Sequence, residues 1–307
     1  MPKAIILYEI DPSFGPNIIA EYYLKQDDKV STSILKEFSE KHDKKQMADF
    51  TVREGNNRYF SKKINAESLE KENLYLSFIL QEEEDLVSLK SIFINVEQKI
   101  INNFTTDKNK MMEILKNALN SILSLMEKLK EPKIITETIN ERTKKMLDDG
   151  KLSEARELID LGEDVPEKLA AEVKLAEDLL HQHFYRKAKK SFLKAAESAK
   201  LIQEVEIASF LQNKGEQVGL FPDLIKEREN LYKEIEKIIT NLNINQLYLY
   251  EDFAEPIDRL IEITLIFEEH ELGDILTQLK NNAQRASKLA KELDGLNEKI
   301  RELLKKI

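Results

Sequence analysis

The pattern of apolar and polar positions changes once along the chain, near Phe104. Before it, apolar residues come in short runs of strand length. Residues 3–10 (KAIILYEI) and 17–24 (NIIAEYYL) are two such runs, separated by Asp11-Pro12-Ser13-Phe14-Gly15-Pro16. A stretch so rich in turn formers between apolar runs predicts a β-hairpin with a long tip. Ser31-Thr32-Ser33 then offers capping hydroxyls ahead of Ile34, Leu35 and Phe38, a stripe at helical spacing that extends to about Lys44. Residues 48–54 and 58–64 flank Gly55-Asn56-Asn57, a second hairpin signal. Leu74, Leu76, Phe78 and Leu80 alternate along one face of a strand within 73–81. Leu89, Phe93, Val96 and Ile100 share one face of a helix from about Asp85 to Asn103. The order is β-β-α-β-β-β-α, an α+β domain built on a five-stranded antiparallel sheet.

After Phe104 the periodicity is helical, and an all-α helical-hairpin region is expected. Met112, Leu115, Leu119, Ile122, Met126 and Leu129 form a seam on a helix that stops at Pro132. Gly150, Gly162, Pro166, Gly215, Pro222, Pro256 and Gly273 are expected to mark turns between antiparallel helices. A last helix from about Gly273 carries Ile275, Leu279, Ala286, Leu289, Leu293, Leu296, Ile300, Leu303 and Ile307. With Asn282 included, the 4-3 spacing is unbroken, which is heptad geometry. The same spacing serves a seam inside a bundle or a coiled coil between chains, and Asn282 and Gly295 both weaken a long dimer. Three regions follow: 1–130, α+β; 131–272, helical hairpins; 273–307, the heptad helix.

Composition narrows the chemistry. The 307 residues include no Cys, no Trp and 4 His, with 8 Gly and 7 Pro. Without Cys there is no thiol nucleophile, zinc–thiolate site, iron–sulfur cluster or disulfide. A net charge of −10 opposes non-specific attraction to phosphate backbones, so nucleic acid is not an expected partner. The basic cluster Arg186, Lys187, Lys189, Lys190 and Lys194 scatters around a helix and reads as a solvated face. No apolar run approaches the ~20 residues of a membrane span. The opening apolar stretch is cut by Glu9 and Asp11, unlike a signal segment, and no hydrophobic tail ends the chain. Membrane contact is expected to be peripheral at most, and the location cytoplasmic.

Motifs for catalysis are missing from the sequence. Neither GxGxxG nor GxxxxGK[ST] occurs, and Gly150-Lys151 is a lone pair with no strand before it. On a helix, His181 and His183 point about 200° apart, and Asp178-x-x-His181 lacks the second such unit of a di-iron bundle. The run Glu82-Glu83-Glu84-Asp85 lacks calcium-loop spacing. No catalytic, cofactor or metal residue is singled out, and a non-enzymatic protein is expected.

Two resemblances follow from these residues. Tyr185-x-x-Ala188-x-x-x-Phe192-x-x-Ala195 resembles the second helix of a tetratricopeptide (TPR) repeat. Gly150-Lys151-Leu152-Ser153-Glu154-Ala155 looks like the start of a unit 33 residues earlier, and Ala208 and Gly215 are a fainter echo. The departures are His183 in place of the usual turn Gly and Lys200 where the terminal Pro is expected. The N-terminal pattern, KAIILYEI, loop, NIIAEYYL, helix, hairpin, LYLSFIL and a long second helix, resembles a longin domain, with residues 108–130 supplying its third helix.

The longin resemblance implies a binding module of membrane traffic that contacts small GTPases, other longin domains or peptide segments. It points to an adaptor or scaffold in small-GTPase-linked vesicle traffic or membrane tethering; the heptad spacing of the last helix separately offers a surface for oligomer formation. The first loop, with Asp11, Pro12, Phe14 and Gly15, is the candidate protein-binding site. The alternative is a ligand-sensing regulator whose first domain senses and whose helices transmit.

Overall fold

In the computed structural model, all residues are described except 1, 12, 26–28, 45, 46, 56, 66–68, 70, 72, 82–85, 242, 243, 268 and 307. For residues 44, 81, 86, 241, 244–248 and 270 only the backbone is described. Pro12, Asn56, the acidic run 82–85 and Ile307 therefore lie outside the described residues. The chain divides into two compact units, 1–219 and 220–307.

The first unit opens with the five-stranded sheet. Strands β1 (Ala4–Asp11), β2 (Gly15–Tyr23), β3 (Asp49–Glu54), β4 (Asn57–Lys63) and β5 (Leu74–Gln81) line up in the order β2-β1-β5-β4-β3, all neighbours antiparallel. Helix α1 (Thr32–Ser39), capped by the Ser31 hydroxyl, carries the chain from the β2 edge to the β3 edge and widens into a π turn at Glu40–Lys44. The side-chain period of two explains why β1 is apolar throughout. Ala4, Ile6, Tyr8 and Ile10 face α1, while Ile5 and Leu7 face the opposite side, where helix α2 (Leu86–Asn102) packs. β5 divides likewise: Leu74, Leu76, Phe78 and Leu80 join the α2 side, and Tyr75 and Ile79 the α1 side.

The core on the α2 side does not stop at the sheet. It continues through α3 (Lys108–Lys130), α4 (Pro132–Asp148), α5 (Leu152–His181), α6 (Tyr185–Leu201) and the first part of α7 (Val205–Asn241) as one cluster. In α3 the buried face runs through Met111, Leu115, Ala118, Ile122 and Leu125. This turns it away from Met112, which the sequence seam included and which is exposed.

Several expected turns are corrected. Gly162 and Pro166 lie inside α5, and Gly215 and Pro222 inside α7, while Pro256 and Gly273 fall in the first turns of α8 (Ala254–Ile266) and α9 (His270–Leu304). Of the seven positions only Gly150 is a turn. The α5–α6 and α6–α7 turns use His183 and Gln203, non-glycine residues at φ of 62° and 59°. The internal glycines have a packing role. A Cβ at Gly162 would stand 2.9 Å from the Ile139 Cγ2 of α4, and one at Gly215 3.1 Å from the Phe192 Cβ of α6. Gly162→Ala is therefore expected to cost about 1–3 kcal/mol by overpacking, despite its gain in helix propensity. Ile139→Leu, which removes that branch, should recover part of the loss in a double-mutant cycle; a Gly162→Ala variant as stable as wild type in urea would refute the packing role.

In the second unit, the end of α7, a 3-10 segment (Ile244–Phe253), α8 and α9 enclose a small core of Ile235, Phe253, Ile257, Leu260, Leu276 and Ala283. No helix among the described residues is long and apolar enough to cross a membrane.

Candidate functional site

The first loop is built around one carboxylate. Asp11 Oδ1 accepts the backbone N–H groups of Ser13 at 2.7 Å and Phe14 at 2.9 Å, and Gly15 follows at φ +81°. An Asx-type turn plus a left-handed residue closes the chain into β2. Phe14 is held outward with 92 % of its surface exposed. Asp11, Phe14 and Gly15 thus stand together at the hairpin tip.

A second constellation lies under α1. Tyr8, Ser61 and His42, distant in sequence, form a buried chain: Tyr8 Oη to Ser61 Oγ at 2.7 Å, Ser61 Oγ to His42 Nε2 at 3.0 Å, and His42 Nδ1 to the Met47 carbonyl at 2.7 Å. A carbonyl can only accept, so Nδ1 carries the proton and donates. Nε2 then accepts from Ser61, whose oxygen accepts from Tyr8. This tautomer is neutral, and burial pushes the His42 pKa down to about 4 and the Tyr8 phenol upward. A serine beside a histidine invites a nucleophilic reading. Ser61 has no exposed surface, however, and Nδ1 meets a carbonyl rather than a carboxylate, so this chain pins the π turn to the sheet.

A third feature is a cleft of about 300 Å³ among α2, α3 and the start of α7. The spacing of polar residues on α2 explains it. Beside the apolar face stand Ser88, Ser91, Asn95 and Lys99, three or four apart, and α7 answers in antiparallel order. Lys214 Nζ donates to Ser88 at 2.8 Å, Asn213 to the Ser91 carbonyl at 3.4 Å, Asn95 to Ser209 at 3.4 Å, and Lys99 pairs with Glu206 at 2.8 Å. This polar ladder leaves an apolar floor of Val96, Ala118, Ile122, Leu125 and Phe210, with Gln98, Asn102 and Ser121 also lining the cleft. An apolar floor with a few amides and hydroxyls suits a small amphipathic ligand or one apolar side chain of a peptide. The sequence reading used only the apolar stripe of α2; its second, polar stripe was the available signal.

Of the two remaining histidine-based candidates, His181 ends α5, and His183 leaves the helix to contact the Tyr185 hydroxyl through Nδ1 at 2.9 Å. Among the described residues no three His, Asp or Glu side chains converge as a metal set. No protein-family model, no curated protein and no solved structure matches the chain.

Proposed function

We propose that this chain is a non-enzymatic adaptor or scaffold, acting through protein–protein contacts in small-GTPase-linked vesicle traffic or membrane tethering at the cytoplasmic side. The observation that supports it is Phe14, an aromatic side chain presented to solvent by a hairpin tip whose backbone is hydrogen-bonded to Asp11. Aromatic anchors set on preorganised backbone are the residues that dominate interfaces, because little conformational entropy remains to be lost on binding. The longin-like order of elements makes a small GTPase or another longin domain the partner of choice.

The test uses the full chain and purified small GTPases in GDP and GTP-analogue states. Nucleotide-dependent binding that weakens at least about tenfold in Phe14→Ala is expected. Absence of binding to every GTPase in both states would remove the GTPase part, and binding indifferent to Phe14→Ala would remove the loop.

A second reading, a ligand-sensing regulator, is supported by the α2–α3–α7 cleft. It joins the helix that covers the sheet to α3 and the start of α7, so an occupant would bear on all three helices. A reproducible rise in melting temperature with one metabolite, lost in a cleft-filling Ser121→Trp variant, is the result this reading requires.

A further inference from the structure

The heptad stripe of α9 is not the face this helix uses within its own unit. Leu276, Ala283 and Ser287 point inward, with Leu276 and Ala283 in the core beside Phe253 and Leu260. Leu289, Leu293, Leu296, Ile300 and Leu303 lie on another face, each with more than half of its surface exposed, and every residue from Lys291 to Lys306 is exposed except Gly295. We propose that this stripe pairs with the same stripe of a second copy, the two helices running antiparallel about a twofold axis between residues 294 and 295.

Self-complementarity about that axis carries the assignment. Counting outward, Leu293 meets Leu296 of the other copy, Leu289 meets Ile300, and the small Ala286 meets Leu303. Each layer occurs twice, as an isologous interface requires. Asn282 falls at the end of this span, where a polar side chain reaches water. Next to the axis, charge agrees with the same register. Glu292 and Lys299 sit one heptad apart on one flank, so reversal of the second helix places each beside its opposite, twice, while Arg285 and Lys306 of the same flank meet as like charges at the outer ends. The other flank holds Ala290, Asn297 and Leu304 and brings no like charges together. A parallel pair would set Glu292 near Asn297 and Lys299 near Leu304, with no attraction gained.

Five large apolar side chains in one stripe, each more than half exposed, make the kind of contiguous apolar surface that marks an interaction site. The pairing goes beyond the adaptor reading and does not depend on it: Phe14 and its partners can fail while the dimer stands.

The experiment is sedimentation velocity on the full chain, which should show a dimer. Leu293→Asp with Leu296→Asp should give a monomer of unchanged helix content by circular dichroism. Glu292→Lys alone and Lys299→Glu alone should each weaken dimerisation at least about tenfold, and the double swap should restore it. Because the chain has no cysteine, orientation can be read directly. Ala286→Cys and Leu303→Cys variants should oxidise with each other when mixed, and neither with itself, since like positions lie about 25 Å apart along an antiparallel pair. A monomeric wild type, a dimer indifferent to the aspartates, or self-oxidation of Ala286→Cys would each overturn the proposal.

Discussion

Glu204→Ala is expected to remove about 3 kcal/mol from the stability of the first unit. Glu204 stands in the turn between α6 and α7 with its side chain 5 % exposed, and two cations converge on it. Lys128 of α3 contacts Oε2 at 2.8 Å and Arg142 of α4 contacts Oε1 at 2.9 Å. The same guanidinium donates to the carbonyls of Ile202 and Gln203, both at 3.2 Å, so four helices meet at one carboxylate. Removing it leaves two half-buried positive groups facing one another across an empty site, and that residual charge, rather than the lost attraction, makes up most of the cost. Glu204→Gln keeps an acceptor for Arg142 and should fall between alanine and wild type. Because the site is largely shielded, 0.5 M salt should change the alanine penalty little. Urea unfolding of the three proteins checks this. A penalty under about 0.5 kcal/mol, typical of surface ion pairs, would show that the cluster is not a clamp.

The second large effect is a loss of stability in mild acid through His42. Its folded pKa is about 4, below the ordinary 6.5, because burial disfavours the imidazolium. The unfolded chain therefore binds the proton first, and stability rises with pH across this range. It is complete above about pH 6.5 and declines as pH falls toward 4, by at most about 3 kcal/mol. The carboxylates whose pKa values are lowered, Glu9 beside Lys71, Glu172 beside Lys194 and Glu227 beside Arg259, begin to lose their contribution only as pH falls below about 5, where the unfolded carboxylates start to protonate. Above about pH 5 the decline is thus that of His42 rather than of these carboxylates. Urea midpoints between pH 7.5 and 4.5 should slope downward in the wild type and flatten in His42→Gln, although the variant starts lower for want of its hydrogen bonds. Parallel profiles for the two proteins would exclude His42 as the source.

The sheet was legible because strand and helix periods are local properties. Leu74, Leu76, Phe78 and Leu80 announce one face of β5, and Leu89, Phe93, Val96 and Ile100 the face of α2 that covers it. The helix ends were harder. Gly162, Pro166, Gly215 and Pro222 carry the residue types of turns. At Gly162 and Gly215, though, glycine answers to the closeness of a neighbouring helix, and no local window contains Ile139 or Phe192. Conversely His183 and Gln203 turn the chain in a backbone conformation that their residue types do not advertise. His183 departs from the TPR pattern where that family has its turn Gly, and it is a turn residue in fact. The hairpin-tip residues were found because turn chemistry is local too. The Tyr8–Ser61–His42 chain and the cleft were not, since their members meet across tens of residues and only the folded backbone brings them together.

The position of β1 also governs how the protein can be made. Its register joins Ala4 to Ile79 and Glu9 to Leu74, so β1 leaves the ribosome well before β5, the last strand of the sheet, with which it pairs. Until β5 emerges, the β1–β2 hairpin offers its most apolar strand along an open edge, a template for wrong pairing. Closure of this sheet is therefore a delayed event in synthesis, and translation speed between β1 and β5 becomes a determinant of yield.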